Sequence, residues 1–295
     1  VKALTPEGFA EKVEAEWQHI KESPTRLTPE AIQRIQAYFT EPDYAAIDNA
    51  TDLLASQRFE NRGFDQWLTH NVDTHKKAGY AIVSLTMKKT GTPPGDVSDK
   101  QLEQIADLAD EFSFGEIRVT HQQNVVLADV RQDRLFELWQ AITPMGFGTA
   151  NLNTLTDVIC CPGGDYCALA NAKSIPVAEA IQRQFDDLDY LYDLGNIDLN
   201  ISGCMNACGH HHVGNIGVLG VDKKGQEFYQ ISLGGSSHHD ASIGKILGPS
   251  FARDEMPKVI SKIIDVYVDK RTEEETFLDT YRRVGIDPFK ERVYA

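Results

Sequence analysis

The chain has 295 residues, 41% of them hydrophobic and 25% charged, enough for one large or two ordinary folded domains. No apolar run approaches the roughly 20 residues that a bilayer-spanning helix requires, so a membrane protein is excluded. With 29 Lys and Arg against 44 Asp and Glu the formal charge is -15, a surface that repels nucleic-acid phosphate and any small anion outside a local basic pocket. The chain starts at Val1 and shows neither the apolar core nor the cleavage site of a signal peptide. The expectation is a cytoplasmic protein, and a piece of something longer.

Residues 1–70 read as acidic helices. Thr5-Pro6-Glu7 and Thr28-Pro29-Glu30 each place an N-cap, a proline at the first helical position and an acid in the first turn. Apolar residues follow at helical spacing, Phe9, Val13 and Trp17 in one case and Ile32, Ile35 and Phe39 in the other. Ordinary amphipathic helices account for this stretch, and no chemistry is assigned to it. From Gly79 the pattern changes. Tyr80–Met87 reads as a strand and Thr90–Gly95 as a turn-rich loop. A helix capped by Ser98 follows, with Leu102, Ile105, Leu108 and Ala109 on one face. Glu116–Thr120 and Asn124–Val130 read as strands and Asp133–Ile142 as a helix. This β-α-β-β-α order predicts an α+β half-domain over residues 71–147, its mostly antiparallel sheet covered on one face. Residues 148–295 form the second domain. It holds the cysteines, a helix near Ala168–Phe185 and strands at Ile197–Ile201, Asn215–Val221 and Phe228–Leu233. Helices near Met256–Val268 and Glu274–Val284 complete it.

Five cysteines is an odd number, and four of them fall into two tight pairs. A secreted disulfide framework scatters even numbers of cysteines through a smaller chain, so clustered thiols point to a reducing compartment and a metal or cluster site. Cys161-Pro-Gly-Gly-Asp-Tyr-Cys167 is too wide for the usual zinc knuckle, and Gly163 and Gly164 allow its two thiolates to splay. Cys204-Met-Asn-Ala-Cys208 at a helix start would set two thiolates about 5–6 Å apart at Cβ, favoured by the helix N-terminus. Two pairs of buried free cysteines, or a zinc site completed by His210, His211 or His212, are the alternatives. Cys160 reads as a packing residue, since neighbours on an extended segment face opposite ways.

The residues around the pairs say more. Cys161-Pro-Gly-Gly-Asp-Tyr-Cys-Ala-Leu-Ala-Asn-Ala-Lys173, followed by Cys204-Met-Asn-Ala-Cys-Gly-His-His-His-Val-Gly-Asn-Ile-Gly217, resembles the siroheme and [4Fe–4S] signature of the sulfite and nitrite reductase hemoprotein family. Ile117-Arg-Val-Thr-His-Gln-Gln-Asn124 resembles the strand–turn–strand that lines siroheme in that family, and Gly79 to Leu138 is similar to its ferredoxin-like half-domain. The resemblance covers roughly residues 60 to 295. It implies an α+β fold, a ferredoxin-like half-domain followed by an α/β domain that binds siroheme and the cluster.

Carried over by position, the resemblance implies Cys161, Cys167, Cys204 and Cys208 as cluster ligands, their sulfurs converging on one small concave surface. Cys208 matches the thiolate shared with the siroheme iron, which couples a one-electron relay to the metal that holds substrate. Siroheme is edged with carboxylates, so its pocket needs cationic and amide donors. Arg118, Thr120, Gln122, Gln123, Asn124, Asn206 and Asn215 are the donors the resemblance implies; His121 stands between the two faces of its strand. The His210-His211-His212 run invites a metal or proton-relay reading, with a solvated or carboxylate-facing histidine cluster as the alternative, and the loop Gly234 to His239 is a further candidate for the cofactor edge. Gly209, Gly214 and Gly217 would let backbone approach the ring.

Family members are built from two related halves, with the basic side chains that grip the substrate anion mainly in the first. This chain resembles the second half and the helical segment before it. The expectation is a fragment that holds siroheme and a [4Fe–4S] cluster, has no catalytic residue of its own and is inactive alone. Its partners would be the N-terminal half of the same protein, an external electron donor (ferredoxin or a flavoprotein reductase) and a small anion; nucleic acid and membrane are not expected. The parent reaction would be the six-electron reduction of sulfite to sulfide. Reduction of nitrite to ammonia, or a non-catalytic module with structural zinc at the four cysteines, are the alternatives.

Overall fold

Thr5 and Thr28 act as N-caps: their side chains accept the backbone N–H groups of Gly8 and Ala31 and open α1 (Pro6–Ile20) and α2 (Pro29–Gln36). The computed structural model describes residues 4–23 and 27–295. It divides into two compact units, Val1–Ala46 and Ile47–Ala295. Within the first, the apolar residues picked out by helical spacing (Phe9, Val13, Trp17, Ile32, Ile35 and Phe39) are all exposed. The division between the units falls inside the expected helical segment 1–70. Helices α3 (Thr51–Glu60) and α4 (Arg62–Asn71) belong to the larger unit, where α4 buries Phe64 and Trp67 completely and Phe64 meets Phe136 edge-on.

Four strands follow the expected order with one addition at the front. β1 (Val72–Thr74), β2 (Tyr80–Leu85), β3 (Arg118–Val119) and β4 (Val125–Arg131) make an antiparallel sheet ordered β1-β2-β4-β3. Ser98 closes a capping box with Gln101 and starts α5 (Asp99–Phe112). With α6 (Leu135–Met145), it supplies Ile105, Leu108, Leu138 and Ile142 to the core that also holds Val83, Leu85 and Leu127 of the sheet. The α+β arrangement read from the sequence is present.

The second sheet is mixed. β5 (Ile159–Cys160) is followed by α7 (Ile175–Gln184), α8 (Leu188–Leu194) and β6 (Leu199–Ser202). β7 (Ile216–Lys223) and β8 (Gln226–Leu233) come next, then β9 (Lys245–Ile246) and β10 (Phe251–Ala252). The order is β10-β8-β7-β6-β5, with β9 also on β8. β5, β6 and β7 run parallel, and β8 returns antiparallel through Lys224-Gly225, both at positive φ, the turn that matches strand twist in a two-residue hairpin. Helices α9 (Met256–Lys270), α10 (Phe277–Val284) and α11 (Asp287–Tyr294) contribute to the core of this half. Among the described residues no helix is long and apolar enough to cross a membrane.

Two expectations are corrected. The helix expected near Ala168–Phe185 starts only at Ile175, because Asn171 and Ala172 give their N–H groups to Gly203 O. Cys204–Cys208 is a run of turns and no helix begins there, with Ala207 at φ 56° and His210 at φ 54°. A left-handed residue inside a first turn ends any helical path.

Candidate functional site

Because β5 and β6 are adjacent and parallel, their C-terminal ends leave the sheet at the same edge, the edge where open α/β sheets place ligands. Cys161 directly follows β5, and Cys204 lies two residues beyond β6. Cys161 extends the ladder, its N–H donating to Ile201 O at 3.1 Å. Its Sγ accepts the N–H of Gly203 at 3.1 Å and lies 3.5 Å from Ser174 Oγ. Gly203 O in turn accepts from Asn171 and Ala172 at 2.9 and 3.0 Å. A Cβ on Gly203 would stand 2.6 Å from Ala172 O and 2.8 Å from Gly163 Cα, so only glycine lets the two cysteine loops touch backbone to backbone.

All five cysteines are free. Cys160 and Cys204 are buried, Cys161 and Cys167 half-buried, and Cys208 exposed. Among the described residues no three His, Cys, Asp or Glu side chains stand close enough together to hold a metal. Backbone contact joins the two cysteine loops, while the four sulfurs are not gathered into such a group. The turn conformation at Cys204–Cys208 removes the one-above-the-other placement a helix would give. The bonds that draw thiolates together also come from the metal itself. The donor set still suits an iron–sulfur cluster: free thiols on two loops in backbone contact, one sulfur already accepting the kind of N–H bond that stabilises thiolate.

The strand–turn–strand before the cysteines divides the implied siroheme donors into two groups. Gln123, at φ 60°, gives its amide N–H to Cys160 O and accepts the N–H of Cys160, both at 2.8 Å. Asn124 is buried, accepting from Met87 N at 3.0 Å and donating to Asp157 Oδ1 at 2.9 Å. Thr120 accepts from Asn124 N at 3.1 Å, and Asn215 bridges Asp198 N and Gly235 O at 2.9 and 3.0 Å. These four side chains brace the frame. Arg118 and Asn206 are exposed and Gln122 is half-buried, so their side chains are reachable; Arg118 also meets Glu116 at 2.5 Å.

A cleft of about 390 Å³ opens beside this turn, lined by His121, Gln122, Asp198, Asn200, His210 and His238 among others. Burial pushes the Asp198 carboxyl up from its ordinary range, and His238, 3.5 Å away, opposes that shift. Asn200 holds His210 by donating to its carbonyl at 3.1 Å. Asp198 and Asn200 were missed from sequence; the available signal was two polar residues inside the otherwise apolar run Ile197–Ile201.

His211 is buried with neither ring nitrogen hydrogen-bonded, its ring 4.0 Å from that of His212. Burial, with His212 adding to it, lowers its pKa from 6.5 to about 4. The folded chain thus keeps this imidazole neutral where the unfolded chain protonates it. Stability contributed by the neutral ring is present above pH 6.5 and lost as pH falls toward 4. The loss should be on the order of 2 kcal/mol. His211→Phe should flatten that part of a urea-unfolding pH series, while the opposite slope from Asp198 is common to both proteins and cancels. An unchanged slope in the variant would show that His211 is not the group responsible.

Family models match two stretches of the chain: the nitrite/sulfite reductase ferredoxin-like half domain over residues 85–145, and the nitrite and sulphite reductase 4Fe-4S domain over residues 152–295. Sulfite reductase [ferredoxin] 2 of Mycolicibacterium paratuberculosis is 29% identical over 206 residues, which is 66% of this chain and 37% of that protein. Ferredoxin–nitrite reductase of Synechococcus elongatus is 28% identical over 202 residues, 65% of this chain and 37% of that one. An assimilatory-type sulfite reductase of Nitratidesulfovibrio vulgaris is 24% identical over 220 residues, 74% of this chain and 93% of that protein. Among solved structures, the Mycobacterium tuberculosis NirA protein superposes with a TM-score of 0.62 at 25% identity, over 74% of this chain and 41% of that one. The match thus spans 37% of the first two relatives' length and nearly all of the third.

Proposed function

We infer that this chain, which belongs to the nitrite and sulfite reductase family, holds a [4Fe–4S] cluster through Cys161, Cys167, Cys204 and Cys208 beside a siroheme. It would act as the second half of an enzyme that reduces sulfite to sulfide. The observation that carries this reading is the placement of two free cysteine pairs on loops that touch, at the ends of neighbouring parallel strands. When bound, the two cofactors supply single electrons and an iron that holds the anion.

The chain's own residues bind and orient. Gly203 N–H supports the Cys161 sulfur, and the Gln123 amide holds the strand that delivers it. Arg118, Gln122 and Asn206 are the side chains positioned to donate to ring carboxylates. Thr120, Gln123, Asn124 and Asn215, already engaged with the protein, act on the cofactor through the frame they fix. So few cationic donors in a chain of charge -15 leave most carboxylates to be met by a complementary first half of the same protein. Five free thiols fit a cytoplasmic enzyme, and an external one-electron donor, a ferredoxin or a flavoprotein reductase, fits the cluster. Two of the relatives above are sulfite reductases, which favours sulfite; nitrite is the second reading, because the nitrite reductase is as similar as the first of them.

Siroheme titrated into the iron- and sulfide-reconstituted chain, followed by absorbance, tests this reading. Weak, substoichiometric binding and no sulfite or nitrite turnover are expected from the chain alone, with tight binding and turnover in the full-length parent. Tight stoichiometric binding with turnover by the chain alone would make it a complete enzyme and overturn the half-site reading.

A further inference from the structure

Lys88 is a completely buried cation that nothing above uses. It lies just past β2, at the end of the ferredoxin-like sheet. Its Nζ donates to Gln122 O at 2.6 Å and meets Asp157 Oδ1 at 3.1 Å. The same carboxylate is held by Asn124 Nδ2 at 2.9 Å and by Asn153 N–H at 3.0 Å. The Lys88 carbonyl accepts from Asn151 and from Gln182 of α7, at 3.3 and 3.4 Å. One residue thus ties the sheet to the siroheme-side turn and to the segment that leads into β5.

Packing does not explain this choice. A methionine would fill similar space without the penalty of desolvating an ammonium, and that desolvation lowers the proton affinity of Lys88 against the pull of Asp157. What the charge holds is the carbonyl of Gln122. The next residue, Gln123, sits in the left-handed region that non-glycine residues avoid unless their surroundings impose it. The Gln123 amide then grips both backbone groups of Cys160, the residue immediately before Cys161.

We propose that Lys88 is a positioning residue for the cluster's first ligand: by fixing Gln122 O beside Asp157 it sets the left-handed Gln123, whose amide places the strand that carries Cys161. This deepens the reading of Cys161 as a cluster ligand and rests on it. Lys88→Met alone leaves the buried Asp157 without its counter-charge, so the informative variant of the 295-residue chain is Lys88→Met with Asp157→Asn, which removes both charges and keeps a side-chain oxygen to accept from Asn124 or Asn153. Without iron, its Cys160 amide should exchange about tenfold faster than in the native chain, the effect of losing one hydrogen bond, at a near-native melting temperature. After reconstitution it should retain less iron than the native chain.

A purely structural ion pair predicts the reverse: native exchange and native iron once both charges are gone, and that result would overturn the proposal. Gln123→Met keeps the Lys88–Asp157 pair and loses both side-chain bonds to Cys160, the donor to its carbonyl and the acceptor of its N–H. It should show the same faster exchange and lower iron content, and native values in both would also sink the proposal, whether or not the double variant folds. Faster exchange in these variants, with no iron taken up even by the native chain, would uphold the positioning of the strand and overturn the cluster reading instead.

Discussion

Cys161→Ser is expected to strip the reconstituted chain of its iron, from about four atoms per chain to well below one, while Cys160→Ser leaves the content unchanged. The two thiols are adjacent in sequence and differ in surroundings. Cys160 is 3% exposed, its thiol donates to Cys161 O at 3.3 Å, and burial pushes its pKa well up. Such a thiol stays protonated and is a poor metal ligand. Cys161 is half-buried, and its sulfur accepts a backbone N–H. Iron and acid-labile sulfide analysis, with the visible spectrum, decides between them. Equal losses in the two variants would show that Cys160 serves the cluster as well, and that the separation of roles drawn from burial is mistaken.

Gly209→Ala should destabilise the chain by about 3 kcal/mol, the upper end for overpacking. A Cβ at this position would stand 2.0 Å from Ile201 O and 2.8 Å from its carbonyl carbon. These are backbone atoms of β6, a strand buried along its whole length between β5 and β7, so they cannot move aside cheaply. The φ at Gly209 is not in the left-handed region, which makes this a question of space and not of backbone conformation. Gly164→Ala is the control. It also lies in a cysteine loop, its nearest contact would be 3.4 Å, and it should cost less than about 1 kcal/mol in urea unfolding. Similar losses for the two variants would mean that the Cys208 loop does not press on β6 as described. Since Gly209 follows Cys208, iron retention should fall with stability in Gly209→Ala and stay native in Gly164→Ala.

Local chemistry was enough for much of this protein. Thr5, Thr28 and Ser98 announce helix starts because a cap needs only a side-chain oxygen and the next turn. Asn215–Val221 and Phe228–Leu233 read as strands because an apolar pattern is local, and the fold then pairs them as the β7–β8 hairpin. The cysteine pairs and their flanking residues named a cluster chemistry without coordinates. Tertiary structure decided the rest, wherever the controlling partner is distant along the chain. Residues 168–174 carry a helical pattern, yet Asn171 and Ala172 bond to Gly203, and the helix waits until Ile175. β5 is two residues long, too short to leave a periodic signal, and exists through its register with Asn200 and Ile201. Residue type marked Gln122, Gln123, Asn124 and Asn215 alike as polar donors. Only the fold could show that Gln123, Asn124 and Asn215 spend their amides on the backbone and on Asp157, while Gln122 lends its carbonyl to Lys88 and its side chain to the cleft. A donor's chemistry is written in its own side chain, whereas its partner is chosen by the folding of the chain around it, and buried polar groups must find one.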